Sequence, residues 1–412
     1  MLRGTDEPSG TAIFPERSGS AAPRTDWPVV AVVVLGGVAA SLQIGKGMIA
    51  IPLLQADLHW DLATLGWVTS VFAFLGLVGG VPAGALAARF GDKRLMVTGL
   101  FGLACGSMAG AAAPGLGLLL VARLVEGAGF LLISTTGPAI LRRSTQGRHR
   151  EIAMALWSCF MPAGMALAML AGPLFDGWRA IWLAGAGTAL LAAAAVALRV
   201  PAASLGAAPV WRDLVADALG MFRATAPLRL ALCFAFYAMM TFALFSFLPV
   251  LLIERMQSSL AVVGPLSALA IASNIAGNLA AGVLLGRGIL RAALIGGASI
   301  VMGVSAALIF LPLLPNFATF LFCMLFSAAG GLIPATLISS AALLAPRPSL
   351  VPATIGLIMQ GSNLGQVAGP IAVGLVIARA GWPAAAMLVA ALALSALLTA
   401  LALRRDFRAI SA

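Results

Sequence analysis

Charged residues are scarce in this sequence. Only 9% of the 412 residues are Asp, Glu, Lys or Arg, whereas 61% are hydrophobic, and the mean hydropathy is +1.05. Soluble domains carry about 25% charged residues, so this composition excludes an ordinary soluble protein. Most charges lie between long apolar runs. This pattern indicates an all-α membrane protein, because a membrane-spanning helix needs about 20 apolar residues.

Residues that bind metals or form disulfides are also rare. The chain has no CxxC pair and no Cys/His cluster, so we expect neither a disulfide nor a metal site. The four cysteines are scattered one to a predicted span: Cys105, Cys159, Cys233 and Cys323. A GxxxxGK[ST] phosphate-binding loop is also absent, which argues against direct use of ATP, and we expect no cofactor. A membrane-embedded enzyme would need a nucleophile with a base, or a metal cluster, at membrane depth, and is a remote alternative.

Twelve apolar runs are long enough to cross a bilayer, and the longest loop between them divides them six and six. The predicted spans are 28–52, 62–84, 95–114, 116–141, 151–175, 179–199, 228–253, 259–286, 291–314, 316–345, 350–378 and 382–403. The resulting segments are a disordered cytoplasmic tail (1–27), a six-helix bundle (28–199), a cytoplasmic linker (200–227), a second six-helix bundle (228–403) and a short cytoplasmic tail (404–412).

The linker contains apolar residues at helical spacing, which predicts an amphipathic helix on the inner membrane surface. These residues are Trp211, Leu214, Val215, Ala218, Leu219 and Phe222. An ordinary linker with a chance periodicity is the alternative.

The net charge of +11 is a topology signal. With the N-terminus in the cytoplasm, most Lys and Arg residues fall on the cytoplasmic side, as the inside-positive rule requires. This assigns both termini to the cytoplasmic side of a bacterial inner membrane. The basic residues therefore do not indicate a nucleic-acid partner; the expected partners are the lipid bilayer, a small-molecule substrate and a proton.

Short segments recur between the two halves. GALAAR at 84–89 corresponds to GVLLGR at 282–287, and AGP at 171–173 corresponds to AGP at 368–370. The two offsets are nearly equal, which indicates duplication of a six-helix unit. Parallel repeats of this kind are one architecture of secondary transporters.

The loop after the second span reads GALAARFGDKR. It resembles the loop motif of the major facilitator superfamily, in which a Gly, a Leu, an Asp-Arg pair, a Gly and basic residues follow in order. The matching residues are Gly84, Leu86, Arg89, Gly91, Lys93 and Arg94. Ala88 replaces the family's Asp, which helps to latch the two halves in the outward-facing state, and Asp92 is a candidate substitute. A basic loop that only holds the topology would leave the glycines unexplained.

Two further segments resemble the same family. RLVEGAGF in the fourth span matches a family motif at Arg123 and Gly127. Gly164, Gly172 and Pro173 in the fifth span partly match a motif of proton-coupled drug exporters. Three positions where that motif usually has glycine carry other residues in this chain: Cys159, Ala168 and Asp176. Small residues that let helices approach closely are the alternative explanation. The resemblance covers the whole chain apart from the first tail, and implies a monomer of two pseudo-symmetric six-helix bundles.

Three ionisable residues within the predicted spans lie at similar depth: Lys46, Arg123 and Glu126. At 1.5 Å per residue they lie roughly 9, 10 and 15 Å below the outer ends of their helices. The first and fourth spans line the central cavity in the family that the chain resembles, which implies that these charges are within reach of each other. Gln43 lies one turn before Lys46. We assign Lys46, Arg123 and Gln43 to substrate binding, because two cations sharing one carboxylate favour an anionic or zwitterionic ligand.

Glu126 is the only acidic residue clearly within a predicted span, and we assign it to proton coupling. The alternative is that Lys46 extends to the outer interface while Arg123 and Glu126 form a fixed pair.

The second half has neutral polar residues in place of charges. They are Tyr237, Asn274, Asn278, Gln360, Asn363 and Gln366. Such residues either line the cavity or bond across helices, where each bond is worth about 0.6 kcal/mol. We assign Tyr237, Asn274, Asn278, Gln360 and Asn363 to substrate binding.

These observations predict a secondary active transporter that works by alternating access, most simply a proton-coupled exporter of drugs or metabolites. Import of an organic anion or zwitterion, including siderophore-like metabolites, is the alternative favoured by the surplus positive charge. A passive channel or a sensor with the same fold is a third possibility.

Overall fold

The computed structural model describes residues 25–202, 220–221 and 223–411, with side chains for all of these except 80–88 and 410–411. Most of the predicted N-terminal tail and of the amphipathic linker helix therefore lies outside the described residues. The described helices of eight or more residues are α1 (Trp27–Ile49), α2 (Ile51–Leu58), α3 (Leu62–Phe90), α4 (Asp92–Ala111), α5 (Leu116–Ser144), α6 (Gly147–Ser158), α7 (Phe160–Ala171), α8 (Trp178–Arg199), α9 (Thr225–Phe245), α10 (Leu248–Met256), α11 (Leu260–Gly286), α12 (Arg291–Phe310), α13 (Asn316–Leu344) and α14 (Val351–Ser411).

These helices make twelve membrane passes, which confirms the predicted number. Ten are long and apolar enough to span a bilayer alone, and the bent pair α6 and α7 makes an eleventh pass. The longest, α14, contains Gly381 with φ 75° and ψ 179°, so it is two helices meeting at a break and supplies the twelfth. Glycine permits this backbone conformation because it has no Cβ.

The break points repeat between the two halves. The loop glycine Gly91 (φ 85°) corresponds to Gly288 (φ 82°), and His59 (φ 52°), which ends α2, corresponds to Gln257 (φ 51°), which ends α10. Each position has a partner about 197 residues later, close to the offset between the repeated sequence segments. The backbone therefore supports the predicted duplication.

A carboxylate bridge also occurs once in each half. Trp178 Nε1 donates to Asp57 Oδ2 at 2.8 Å, and Trp382 Nε1 donates to Glu254 Oε2 at 2.6 Å. In each case a short helix, α2 or α10, is tied to the start of the last helix of its half. We call the end of the molecule that carries these bridges the His59 end, which is predicted to lie outside. The opposite end, which carries the loop between α3 and α4, is the Asp92 end.

The two halves meet through α3 against α14 and through α7 against α11. Glycines make these contacts close at the His59 end. A Cβ on Gly66 would lie 2.8 Å from the carbonyl oxygen of Pro370, and a Cβ on Gly264 would lie 2.5 Å from Cγ of Pro173. The halves are therefore packed tightly against each other at the His59 end.

Candidate functional site

A charged cluster lies inside the first half, one turn from the end of α1. Lys46 Nζ donates to Glu126 Oε1 at 2.6 Å and to Ser107 Oγ at 2.5 Å. Arg123 Nη1 donates to Glu126 Oε2 at 2.5 Å. Lys46, Arg123 and Glu126 are all fully buried, so the prediction that these three charges meet is confirmed. The alternative in which Lys46 extends to the outer interface is wrong.

The hydrogen bonds of this cluster connect five helices. Arg123 of α5 donates to the carbonyl oxygens of Val68 on α3 (3.0 Å) and Gln43 on α1 (2.8 Å). The Gln43 amide donates to the carbonyl of Gly185 on α8 at 2.8 Å, while Ser107 brings in α4. A buried ion pair is stable only when such extra bonds satisfy the remaining polar atoms. The cluster therefore fixes the helices of the first half relative to each other.

Aromatic rings cover the two cations. Lys46 Nζ lies 5.0 Å from the ring centroid of Trp182, and the guanidinium carbon of Arg123 lies 4.6 Å from that of Phe72. Cation–π contacts of this length are attractive. Arg123 Nη2 has no hydrogen-bond partner among the described residues. With two cations and one carboxylate, the cluster retains a surplus positive charge beside Phe72.

A small recess lies between the two halves, next to this cluster. It holds about 20 Å³, which is room for about one water molecule. Its lining comes from α3, α5 and α14: Phe72, Ala73, Gly76, Gly127, Phe130, Leu131, Ser134, Asn363 and Gln366. A Cβ on Gly76 would lie 2.7 Å from Asn363 Oδ1, so the halves are in close contact at this depth as well. Of the predicted substrate-binding residues, Asn363 is the one that reaches the recess.

A second polar network lies within the second half. Asn274 donates to the hydroxyl of Tyr237 at 3.3 Å and to the carbonyl of Ser327 at 3.0 Å. Asn278 donates to Asn274 Oδ1 at 2.8 Å. Hydrogen bonds thus connect α9, α11 and α13 through the predicted trio Tyr237, Asn274 and Asn278, as the cross-helix alternative expected. All three residues are buried.

The polar residues of α14 make fewer hydrogen bonds than this network does. Gln366 donates to Ser362 Oγ at 3.2 Å. Gln360 and Asn363 are half-buried, and neither makes a hydrogen bond within the described part of the chain. Their amide groups are therefore free to bind a solute when the halves separate.

The loop motif lies at the Asp92 end. Arg143 at the end of α5 donates to both carboxylate oxygens of Asp92, at 2.7 and 3.1 Å, and also to the carbonyl of Pro201. Asp92 is therefore paired within the first half, and its proposed role in latching the two halves stays a prediction. The motif side chains Arg89 and Arg94 are exposed and Lys93 is half-buried, whereas Gly84 lies in the stretch without described side chains.

The predicted motif residues of the fifth span lie at helix contacts. A Cβ on Gly172 would lie 2.6 Å from Ile49, and Pro173 packs against Gly264 of the other half. This geometry agrees with the alternative in which small residues let helices approach closely.

Sequence reasoning did not identify Ser107, Trp182 and Phe72, which complete the cluster. A single Ser or aromatic residue in an apolar helix is common and carries no signal of its own. The tight helix contacts were equally hidden: a Cβ on Gly106 would lie 2.7 Å from the Glu126 side chain, and one on Gly185 would lie 2.8 Å from Gln43 Oε1.

Comparison with known families decides the class of the protein. The family model of the Major Facilitator Superfamily matches residues 33–350. The chain belongs to this superfamily. It is accordingly a multi-pass membrane protein with the superfamily fold of two helical bundles.

Solved structures of the superfamily resemble the chain over nearly its whole length. A bacterial homologue of the human lysosomal transporter Spinster, in an inward-facing and occupied conformation, matches with a TM-score of 0.68 and 17% identity. The match covers 93% of this chain and 95% of that one. At this low identity the likeness shows the shared fold alone.

Curated members of the superfamily match parts of the chain. The tetracenomycin C resistance and export protein of Streptomyces glaucescens is 29% identical over 180 residues, which is 43% of this chain and 33% of the relative. The multidrug efflux pump LfrA of Mycolicibacterium smegmatis is 29% identical over 181 residues (42% and 35%). The 3-(3-hydroxy-phenyl)propionate transporter of Escherichia coli K12 is 32% identical over 207 residues (47% and 49%). The matched segments span a third to a half of each relative's length.

Proposed function

We propose that the protein is a secondary active transporter of the bacterial inner membrane that exports a small organic solute by alternating access. The observation that carries this proposal is the recess between the two halves, where the unbonded amide group of Asn363 on α14 faces aromatic residues of α3 and α5. Rocking of two repeats about such a midplane site is the usual mechanism of repeat transporters. The export function named for two of the relatives supports the outward direction.

Proton coupling through Glu126 completes the mechanism. The Glu126 carboxylate compensates two buried cations, so its protonation would leave Lys46 and Arg123 without an anionic partner. Uncompensated buried charges are strongly unfavourable, and the cluster would rearrange. Because Arg123 bonds to α1 and α3, rearrangement would reach the wall of the recess and change the affinity for the solute, which is the requirement for coupling.

A specific observation favours a second candidate function, import of an organic anion or zwitterion by proton symport. The cluster has one more cation than carboxylates, and Arg123 retains an unbonded N–H group among the described residues. A carboxylate-bearing solute would be attracted to this surplus charge. The relative named as a 3-(3-hydroxy-phenyl)propionate transporter supports this candidate.

In either mode the protein acts as a monomer with both termini in the cytoplasm, and works without a cofactor or a nucleic-acid partner. The basis for the orientation is the concentration of Lys and Arg in the loops of the Asp92 end.

Untargeted metabolite profiling of cells and medium tests the function. Cells that express the wild type are compared with cells that express Glu126→Gln or the exposed-site control Glu151→Gln. Export predicts compounds enriched in the medium with the wild type and Glu151→Gln, and not with Glu126→Gln present in the membrane at equal amount. Depletion from a complex medium would identify the import mode. No wild-type-dependent change in any compound would contradict both modes.

A further inference from the structure

Aromatic rings form a continuous row that begins at the recess. The ring centroids of Phe72 and Phe130 are 5.3 Å apart, those of Phe130 and Phe160 are 6.2 Å apart, and Phe160 stacks on Trp157 at 4.5 Å. Phe72 and Phe130 line the recess directly. Rings at these separations attract one another in tilted or offset arrangements. A solute that carries an aromatic ring would extend this row.

One of these rings is also in contact with the charged cluster. Phe72 lines the recess and lies 4.6 Å from the Arg123 guanidinium. A cation against an aromatic ring draws ring electrons toward itself, so the remaining surface of Phe72 becomes a better partner for electron-rich groups. The positive charge is only partly compensated, because Glu126 is shared with Lys46.

No negative charge on the recess wall offsets this effect. The nine residues described as lining the recess include no Asp or Glu, and the polar groups are the amides of Asn363 and Gln366 and the hydroxyl of Ser134. An amide can bind hydroxyl, carbonyl and carboxylate groups, since it both donates and accepts. The wall can therefore orient polar substituents, but it cannot neutralise a cationic solute.

From this arrangement we infer that the recess binds aromatic solutes that are uncharged or anionic in preference to aromatic cations. This inference rests on the proposed transport function and names the chemical class of its substrate. A ring stacked on Phe72 would lie roughly 9 Å from the guanidinium, since stacked rings are about 4.5 Å apart. At the effective dielectric of a protein, one unit of charge at that distance changes affinity on the order of tenfold.

Entry of a ring requires the recess to widen from the volume of about one water. The contact between Gly76 and Asn363 is the part of its wall that joins the two halves. Separation of α3 from α14 at this contact would both open the space and release the amide of Asn363.

Three naphthalene probes of similar size test the selection: 2-naphthol, 2-naphthoate and 2-naphthylmethylammonium. Equilibrium dialysis against the purified full chain in nanodiscs gives their dissociation constants, with empty nanodiscs as the partition blank. The expected result is that the neutral and anionic probes bind at least tenfold more tightly than the cationic probe. Phe72→Leu should weaken the binding of all three probes because it removes the stacking ring, whereas in Arg123→Gln the ratio between the probes should fall toward one. It should persist in Phe74→Leu, a control on the same helix with an exposed side chain.

Equal or tighter binding of the cation by the wild type would overturn the inference, and so would failure of all three probes to bind. Neither wild-type result depends on whether a variant folds. The metabolite profile separates the inference from the transport function: a wild-type-dependent compound that is a cation or lacks an aromatic ring would leave transport standing and the substrate class wrong.

Discussion

Lys46, Arg123 and Glu126 define the protein at the scale of single residues, because burial makes their charges interdependent. All three have no exposed surface, and Glu126 bonds to both cations. Removing one partner of a buried pair costs more than the pair contributes, since the remaining charge stays away from water. The fold should therefore tolerate removal of a cation, which leaves a balanced pair, better than removal of the carboxylate, which leaves two cations.

We predict that Glu126→Gln destabilises the protein far more than Lys46→Met. The first substitution leaves two buried cations without a carboxylate and should cost about 3–5 kcal/mol or more. The second leaves Arg123 and Glu126 as a neutral pair and should cost less. Thermal unfolding of both purified variants in the same detergent measures the difference, and equal losses of stability would contradict the charge count.

Gly127 provides a second test at this scale. A Cβ there would lie 2.0 Å from the carbonyl oxygen of Phe72, a backbone atom that cannot rotate away. Gly127→Ala should therefore force α3 and α5 apart and cost about 1–3 kcal/mol. Gly117→Ala on the same helix is the control, because a Cβ there meets nothing within 4 Å. If the two variants unfold at the same temperature, the close contact between Gly127 and Phe72 does not contribute to stability as predicted.

Sequence alone was sufficient to identify the three charged residues, because an ionisable group in an apolar run is conspicuous. It did not show that the cations are sealed behind Phe72 and Trp182. That outcome depends on which face of each helix meets its neighbours, and the apolar residues around each helix gave no such information. Similarly, Tyr237, Asn274 and Asn278 were visible as polar residues, but the hydrogen bond between Asn274 and Tyr237 became evident only from the packing of α9, α11 and α13.

At the scale of helices, the short segments α2 and α10 repeat one construction. Each begins with a proline at its second position, Pro52 or Pro249, which cannot donate a backbone hydrogen bond and so separates the segment from the preceding helix. The sequence contained both prolines, yet the predicted first span (28–52) crossed the break at Ala50 and ended at Pro52, and the predicted seventh span (228–253) ran through Pro249. Apolarity continues across these breaks, and a prediction based on apolarity overlooks them.

The bridge that holds α2 should respond to pH. The hydrogen bond from Trp178, helped by Arg179, holds the pKa of Asp57 below its ordinary value of 3.8. A lowered pKa means that the bridge stabilises at neutral pH and is lost as the pH falls below 3.8. Fluorine NMR of 5-fluorotryptophan-labelled protein should show the Trp178 signal constant from pH 7 to pH 4 and shifted below that range.

Asp57→Leu is the matched variant for this titration. It removes the acceptor, so the Trp178 signal should no longer titrate, while the Trp382 signal of the corresponding bridge to Glu254 should stay unchanged. A Trp178 signal that titrates identically in wild type and variant would exclude Asp57 as the group responsible.

The contact between α3 and α14 closes the His59 end, and a larger residue there should open it. The Cβ of a Leu at position 66 would press on the Pro370 carbonyl oxygen, 2.8 Å away. We predict that Gly66→Leu speeds the reaction of a water-soluble maleimide with Ser134→Cys, in a background without native cysteines. Gly187→Leu is the control, since a Cβ there meets nothing within 4 Å. Unchanged labelling in Gly66→Leu would show that this contact does not set the conformation.

At the scale of the whole molecule, composition and charge pattern predicted a helical membrane protein, and the resemblance of its motifs to a known family implied the fold. Twelve apolar runs, an offset near 197 and a basic loop motif led to the superfamily that the family model then matched. The relative position of the halves was not predictable in this way. It depends on glycine contacts such as Gly66 against Pro370, which became evident only from the packing of α3 against α14.

Distances across both ends of the molecule provide the most direct test of alternating access. Pulsed electron resonance would use spin labels at Ala56→Cys and Ser259→Cys for the His59 end, and at Phe90→Cys and Ile289→Cys for the Asp92 end. All four positions are exposed. With the solute that the metabolite profile identifies, we predict that one distance lengthens as the other shortens. Transport by alternating access would be contradicted if, with the solute bound, each end showed a single distance that was the same as without the solute.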